Sequence, residues 1–178
     1  MMPRYDTPEY DGDSRPETQK HIDMVNRFGQ EFTSRLKSRL LLHDASKLDE
    51  PEHKFFDKGT PNLASSSYGE QSYENAKDSI KEGIEHHYRL NDHHPEHFGE
   101  NGVAGMNLYQ LVEMYLDWRA SSTRHADGNI FKSIMVNRDR FHLDPQLYYI
   151  LLNTAVVDAP ELFPGAPDEI KESLKGRL

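Results

Sequence analysis

His43 and Asp44 adjoin at the end of an apolar stretch, Leu40-Leu41-Leu42, and Lys47 follows three residues after the acid. Farther along come His86-His87, His93-His94 and a lone acid, Asp117, inside an otherwise apolar segment. A neutral imidazole offers a lone pair to Zn, Mn or Fe, and a neighbouring carboxylate supplies negative charge to hold a divalent ion. The two side chains of a helix end normally diverge, and a shared ion gives them a reason to be neighbours. The chain has ten histidines, and seven fall between His43 and His97. They either bind metal or form a solvated polar loop.

The elements that must position these groups read as helices. Residues 1 to about 17, rich in Pro, Asp, Glu and Tyr without periodicity, read as a loosely packed arm. Thr18 is a plausible N-cap for a helix to about Leu42, with the stripe His21, Val25, Phe28, Phe32, Leu36 and Leu40 facing inward. Pro51 opens a short helix over residues 51–56, and residues 58–69, with Gly, Pro, Asn and three serines, read as a loop. A second long helix is predicted over residues 70–88, with Tyr73, Ala76, Ile80, Ile84 and His87 on its core face. His86 then lies about 100° away.

Residues 91–105 read as loop. A third helix, residues 106–122, is apolar on most sides except for a ridge formed by Glu113 and Asp117, four residues apart. Helices near residues 129–141 and 145–157 follow, then a Pro-broken segment and a short amphipathic end over residues 167–175. No alternating strand pattern occurs. The expectation is an all-α fold with a single helical domain over residues 18–158, flanked by the arm and a C-terminal segment, 159–178.

Composition narrows the function. A chain of roughly 100–200 residues usually forms one core, and no apolar run approaches the roughly 18 residues that span a bilayer. Residues 1–6 lack the basic start and apolar stretch of a signal peptide. The absence of cysteine excludes disulfides, thiolate ligands and a cysteine nucleophile, and it fits a reducing cytoplasm. A formal net charge of −9 would repel a long nucleic-acid backbone, whereas a small phosphate ester needs only a local basic cluster.

A single histidine on an apolar face is more often a hydrogen-bonded core residue than a ligand. A buried acid is different, because hiding an unpaired carboxylate costs several kcal/mol and calls for a cation or strong donors. His21, His43, Asp44, His87 and Asp117, all read as inward-facing on three helices, make metal binding the economical account.

The order His, then His-Asp, then a distant Asp resembles the HD-domain phosphohydrolases. His43-Asp44-Ala45-Ser46-Lys47 looks like that superfamily's His-Asp-x-x-Lys, whose lysine contacts substrate phosphate. Ile84-Glu85-His86-His87 resembles the additional histidines of members that hold two metals. The likeness extends over roughly residues 20–155 to a subfamily found mainly in phage genomes. It is carried by Leu42 to Lys47, Asn91-Asp92-His93-His94-Pro95-Glu96-His97, Glu113 to Ala120, and Arg124-His125-Ala126-Asp127-Gly128. The chain departs from the two-metal signalling phosphodiesterases, which carry Gly-Tyr-Pro where this sequence has His-His-Pro-Glu-His, so cyclic-dinucleotide activity is not carried over.

The resemblance implies an HD-like helical bundle and a divalent metal, one or two ions, with Mn, Fe, Zn, Co and Mg all open. It makes His21, His43, Asp44 and Asp117 ligands of a first ion, and His87 with His94 (or His93) ligands of a second, Asp44 bridging. The implied reaction is hydrolysis of a small phosphate ester, a nucleotide above all, by metal-bound water. Lys47 would neutralise charge on the phosphoryl oxygens, and Glu113 would orient a ligating histidine or shuttle a proton, the former preferred. Arg89, Asn91, Arg119, Arg124 and His125 would hold phosphate or sugar, although for each arginine a surface salt bridge is an equal account. His53 and His97 are left out of the site, while Tyr68 and Gly69 could line it.

Two other readings keep the metal: a mixed-valent di-iron HD-type oxygenase, and a non-catalytic, metal-stabilised binding protein. The expected setting is cytoplasmic, in a bacterial cell or a phage-infected host, with no membrane partner. Tyr148, Tyr149 and Phe163 could serve a homo-oligomer face as well as a core.

Overall fold

The computed structural model of the protein describes residues 12–64, 78, 80–124 and 128–175. The fold is all-α: every element is helical, and no strand occurs among the described residues. Backbone packing divides the chain into two compact units, one up to Leu42 and one from His43 onward.

The first unit carries α1, Arg15–Leu40. It starts earlier than Thr18, with Ser14 at the N-cap and Pro16 in the first turn, where a missing N–H leaves no helical bond unmade. Lys37 and Arg39 in the last turn complement the helix dipole. No residue of α1 is buried. His21 is exposed, as are Val25, Phe28 and Leu40, while Phe32 and Leu36 are half-buried. The inward orientation expected of His21 is not what this unit shows: its side chain is exposed along with most of the stripe.

The second unit begins with a sharp reversal. Asp44 sits in the left-handed region at φ 57°, which short polar side chains tolerate better than most. A 3-10 turn follows at Ala45–Leu48, and then α2, Glu52–Ala64. The α2 helix runs through residues 58–64, where the sequence predicts a loop. Its Gly59 marks a close approach, since a Cβ there would lie 2.6 Å from Ile80 Cγ2. The remaining residues of that expected loop, including Tyr68 and Gly69, lie outside the described residues.

The next described helix, α3, is Lys81–Leu90, with Ile80 and His87 buried and Ile84 between extremes. Tyr73 and Ala76 of the expected stripe are also outside the described residues. Pro95–Gly105 forms 3-10 turns, broken at Gly99 and Gly102, whose φ of 56° and 48° with strongly negative ψ suits glycine alone. This segment had read as plain loop because its Pro, Asn and Gly content hides the short turns.

Among the described residues four further α-helices follow, α4 Leu108–Ser122, α5 Ile130–Phe141, α6 Pro145–Asp158 and α7 Asp168–Ser173, with a 3-10 turn at Pro160–Gly165 before the last. The apolar core lies among them, with Met114 and Trp118 of α4 meeting Phe131 and Ile134 of α5, and Leu152 of α6. Tyr148 is buried there and Phe163 rests edge-on against Phe131 at 5.4 Å, so both side chains serve the core. The Glu113–Asp117 ridge projects about 100° around α4 from Met114 and Trp118. One helix thus anchors the core and presents acids elsewhere.

Packing of α2 on α3 leaves no room for a side chain at Gly83, where a Cβ would lie 2.5 Å from Phe55 Cβ. Alanine normally improves a helix interior by up to about 1 kcal/mol over glycine. Here we expect Gly83→Ala to destabilise by about 1–3 kcal/mol net and lower Tm by about 2–10 °C, because the clash is with the root of a side chain. Thermal unfolding followed by circular dichroism checks this, and an unchanged or raised Tm would refute the close α2–α3 approach.

Candidate metal centre

Three segments of the second unit bring their polar groups together. The reversal at Asp44 supplies His43, Asp44 and, through the 3-10 turn, Ser46 and Lys47. The α3 helix and the residues after it supply His87, His93 and His94, and α4 supplies Glu113 and Asp117. Two groups of donor atoms lie within 4.8 Å of one another: Asp44 with His87, His93 and His94, and His43 with His93 and Asp117.

The spacing is that of donors around a shared centre. Asp44 Oδ1 is 3.1 Å from His87 Nε2 and 3.4 Å from His93 Nε2, and His87 Nε2 is 3.0 Å from His94 Nε2. Donors bound to one ion at about 2.1 Å sit about 3.0–3.4 Å apart along the edges of an octahedron or tetrahedron. Asp44 Oδ1 and His93 Nε2 are buried and make no hydrogen bond, despite lying next to each other. Buried polar atoms are otherwise almost always satisfied, and a cation between the two would satisfy both. On the other side, His43 Nε2 lies 3.6 Å from both Asp44 Oδ2 and Asp117 Oδ1. The cluster could hold a divalent metal ion.

Two buried glutamates grip the imidazoles from behind. Glu113 Oε1 accepts from His43 Nδ1 at 3.1 Å and faces His93 Nδ1 at 3.3 Å. Glu52, fully buried at the start of α2, takes His86 Nδ1 on Oε1 and His87 Nδ1 on Oε2, each at 2.8 Å. A histidine that donates from Nδ1 presents the lone pair of Nε2, the atom that faces the other donors here. Ser46 Oγ also donates to Glu52 Oε2, at 2.8 Å, and accepts from Asn91 Nδ2, at 2.8 Å.

Local sequence explains the placement of the histidine loop. Asn107 caps α4 in a reciprocal box with Gln110, whose amide donates to Asp92 Oδ2 at 2.6 Å. The residue before His93 is thereby tied to the α4 N-terminus. Asn91 donates to the backbone carbonyl of His87 at 2.9 Å and closes α3.

Charge is concentrated. The carboxylates of Asp117 and Glu113 push His43 up to about 10, against the opposing effect of burial. Burial favours a neutral Asp44, yet His87, His93 and Lys47 hold its carboxyl far below the usual range. Burial, with the neighbouring His93 and His87, pushes His94 down to about 2, so it stays a neutral donor. Asp117 is lowered too, by His43 against the effect of burial.

A family model described as a family of unknown function, DUF5662, matches residues 11–156. The chain belongs to the DUF5662 family. No curated protein and no solved structure matches it.

Of the ligands expected for this DUF5662 member, the structure brings together His43, Asp44, His87, His94 and Asp117. His93 and His94 both lie in the group of donors with Asp44 and His87. His21 belongs to neither group and is exposed on α1. Lys47 donates to Asp44 Oδ2 at 2.6 Å and passes 5.1 Å over the Phe56 ring. Glu113 meets the Nδ1 atoms of His43 and His93.

Among the expected substrate contacts, Asn91 is spent on Ser46 and His87, and Arg89 and Arg124 are exposed. Arg119 donates to the Asp158 backbone carbonyl at 2.5 Å and pairs with its carboxylate at 3.4 Å. Two residues from Asp117, Arg119 points about 200° around α4 and makes a salt bridge to Asp158 of α6, the alternative account given for each arginine. His125 lies outside the described residues. Glu52 and Ser46 were not singled out in the sequence. The signal for Glu52 was its place on the stripe Glu52, Phe55, Phe56 and Gly59, an acid on the packed face of α2.

The proton on His43 has a measurable consequence. In the metal-free protein it stabilises the fold at pH 6.5 and below, and that contribution is lost as pH rises through about 10. An ion that takes His43 Nε2 must displace the proton. We expect Zn²⁺ affinity to tighten about tenfold per pH unit between about pH 7 and 9, with about one proton released per ion. Calorimetry in buffers of different ionisation enthalpy measures the release. A pH-independent affinity would remove His43 from the ligand set.

Proposed function

We propose that this protein is a metal-dependent phosphohydrolase of HD type that acts on a small phosphate ester, with a nucleotide as the substrate class. The observation that carries the reading is the buried pair Asp44 Oδ1 and His93 Nε2, 3.4 Å apart without a hydrogen bond, among His43, His87, His94 and Asp117. Nitrogen and oxygen donors with no sulfur suit Mn, Fe, Co or Zn, and carboxylate-rich subsets suit Mg. A divalent ion held there supplies Lewis acidity toward a phosphoryl oxygen and makes a water more acidic than bulk water.

The chain's own residues provide the remainder. Glu113 and Glu52 hold the imidazoles in the tautomer that presents Nε2. Lys47 rests on Asp44 with its side chain 30 % exposed, so its ammonium group is available to a phosphate arriving from solvent. Its positive charge offsets the negative charge that builds on the phosphoryl oxygens as the P–O bond to the leaving group breaks. The acidic surface disfavours long polyanions and leaves this local cation to admit a small one.

The test is phosphate release from nucleoside mono- and triphosphates by the full chain with Mn²⁺, Co²⁺, Mg²⁺ or Zn²⁺. Release with at least one pairing is expected. Loaded protein that releases none would overturn the proposal, and oxygen consumption by an iron-loaded sample would put the di-iron oxygenase in its place.

Two substitutions separate the roles. Asp44→Ala should abolish both metal binding and turnover, since each oxygen of Asp44 faces a different set of histidines. Lys47→Ala should keep its metal content by elemental analysis while turnover falls about 10²-fold, the usual cost of removing one preorganised charge donor. Lost metal in Lys47→Ala, with turnover per bound ion unchanged, would make the lysine a structural partner of Asp44.

A further inference from the structure

We propose that Glu52 is the positioning residue of this centre, fixing the His87 imidazole so that Nε2, and not Nδ1, is the atom offered to a metal ion. The proposal rests on the metal reading above and extends it to a residue outside the ligand set. Glu52 is fully buried, and its carboxylate is shared among His86 Nδ1, His87 Nδ1 and Ser46 Oγ, each 2.8 Å away. Among the described residues its partners are two imidazoles and a hydroxyl, none of them a lysine or arginine. A buried carboxylate without a permanent cation needs positive charge from another source.

His87 connects Glu52 to such a source. Its Nδ1 meets Glu52, while its Nε2 lies 3.1 Å from Asp44 Oδ1 and 3.0 Å from His94 Nε2. An ion on Nε2 polarises the ring and strengthens the Nδ1–H donated to Glu52, and the carboxylate in turn makes Nε2 a better donor. His86 hangs on the other oxygen of Glu52 and belongs to neither ligand group, so it serves as an internal control.

The experiment measures Co²⁺ affinity and the Co²⁺ visible spectrum of the full chain. Glu52→Ala should weaken Co²⁺ binding about 10–100-fold and alter the ligand-field bands. Glu52→Gln should restore most of the affinity. Its amide oxygen can accept from His87, and its amide nitrogen can donate to His86, which is free to take the other tautomer. His86→Ala should leave Co²⁺ affinity within about twofold of wild type.

Should Glu52→Ala fail to fold, the ¹⁵N shifts of His87 in the Zn²⁺-loaded wild type carry the test. A protonated Nδ1 with Zn²⁺ on Nε2 is expected, and coordination through Nδ1 would overturn the proposal. Equal Co²⁺ affinity and an identical spectrum in Glu52→Ala and wild type would also overturn it, while leaving the metal centre intact. Wild type that binds no Co²⁺ or Zn²⁺ would overturn both.

Discussion

A carboxylate oxygen and an imidazole nitrogen, shut away from water and lacking any hydrogen bond, set the problem that the rest of the second unit solves. Asp44 Oδ1 and His93 Nε2 stand 3.4 Å apart in that condition. Leaving either unsatisfied costs on the order of 1–3 kcal/mol. A divalent ion would remove the cost, but only if its donors were held before it arrived. Free histidines would turn their ring nitrogens to water or to the nearest acid. The structure prevents this by placing a second acid behind the rings: Glu113 behind His43 and His93, Glu52 behind His86 and His87.

Holding those glutamates is the task of the scaffold. The α4 helix makes Glu113 rigid by burying Met114, Tyr115 and Trp118 beside it. The α2 helix positions Glu52 by packing closely on α3 at Gly59 and Gly83, where side chains are excluded. The start of the histidine loop is held twice, by Asn91 to the end of α3 and by Asp92 to Gln110 of the α4 capping box. The first tie is local and the second spans eighteen residues. A helix cap distant in sequence thereby fixes the residue before His93.

The helical class and α4 to α7 were legible because their apolar periodicity is strong and their caps are explicit, as at Asn107, Asn129 and Asp144. The clustered imidazoles and acids were legible because His and Asp stand out on apolar faces, as at His87 and Asp117. Other features were hidden for physical reasons. Gly59 and Pro61 signal a break, yet close packing on Ile80 keeps α2 helical through them. Glu52 reads as a first-turn acid that complements the helix dipole, which is the commoner use of that position. The direction of Arg119 depends on Asp158, thirty-nine residues later, and no local pattern announces such a partner. Periodicity on α1 marks a stripe but not what lies opposite it, and His21 on that stripe is exposed.

His93 would limit how many ions the donors could serve at once. It appears in both groups of candidate ligands, yet its Nδ1 faces Glu113 at 3.3 Å, which leaves the single lone pair of Nε2. One lone pair binds one ion. Asp44 has two oxygens and uses them differently, Oδ1 toward His87 and His93, Oδ2 toward His43 and Lys47. Two ions held together would therefore have Asp44 as their shared ligand, with His93 committed to the side of His87 and His94. His43 and Asp117 would then form the poorer half of the site. Lys47 would lose its bond to Asp44 Oδ2 as that oxygen turned to a cation, freeing its ammonium group for an incoming anion. The same lysine–aspartate contact that neutralises the metal-free site would thus be broken by loading it.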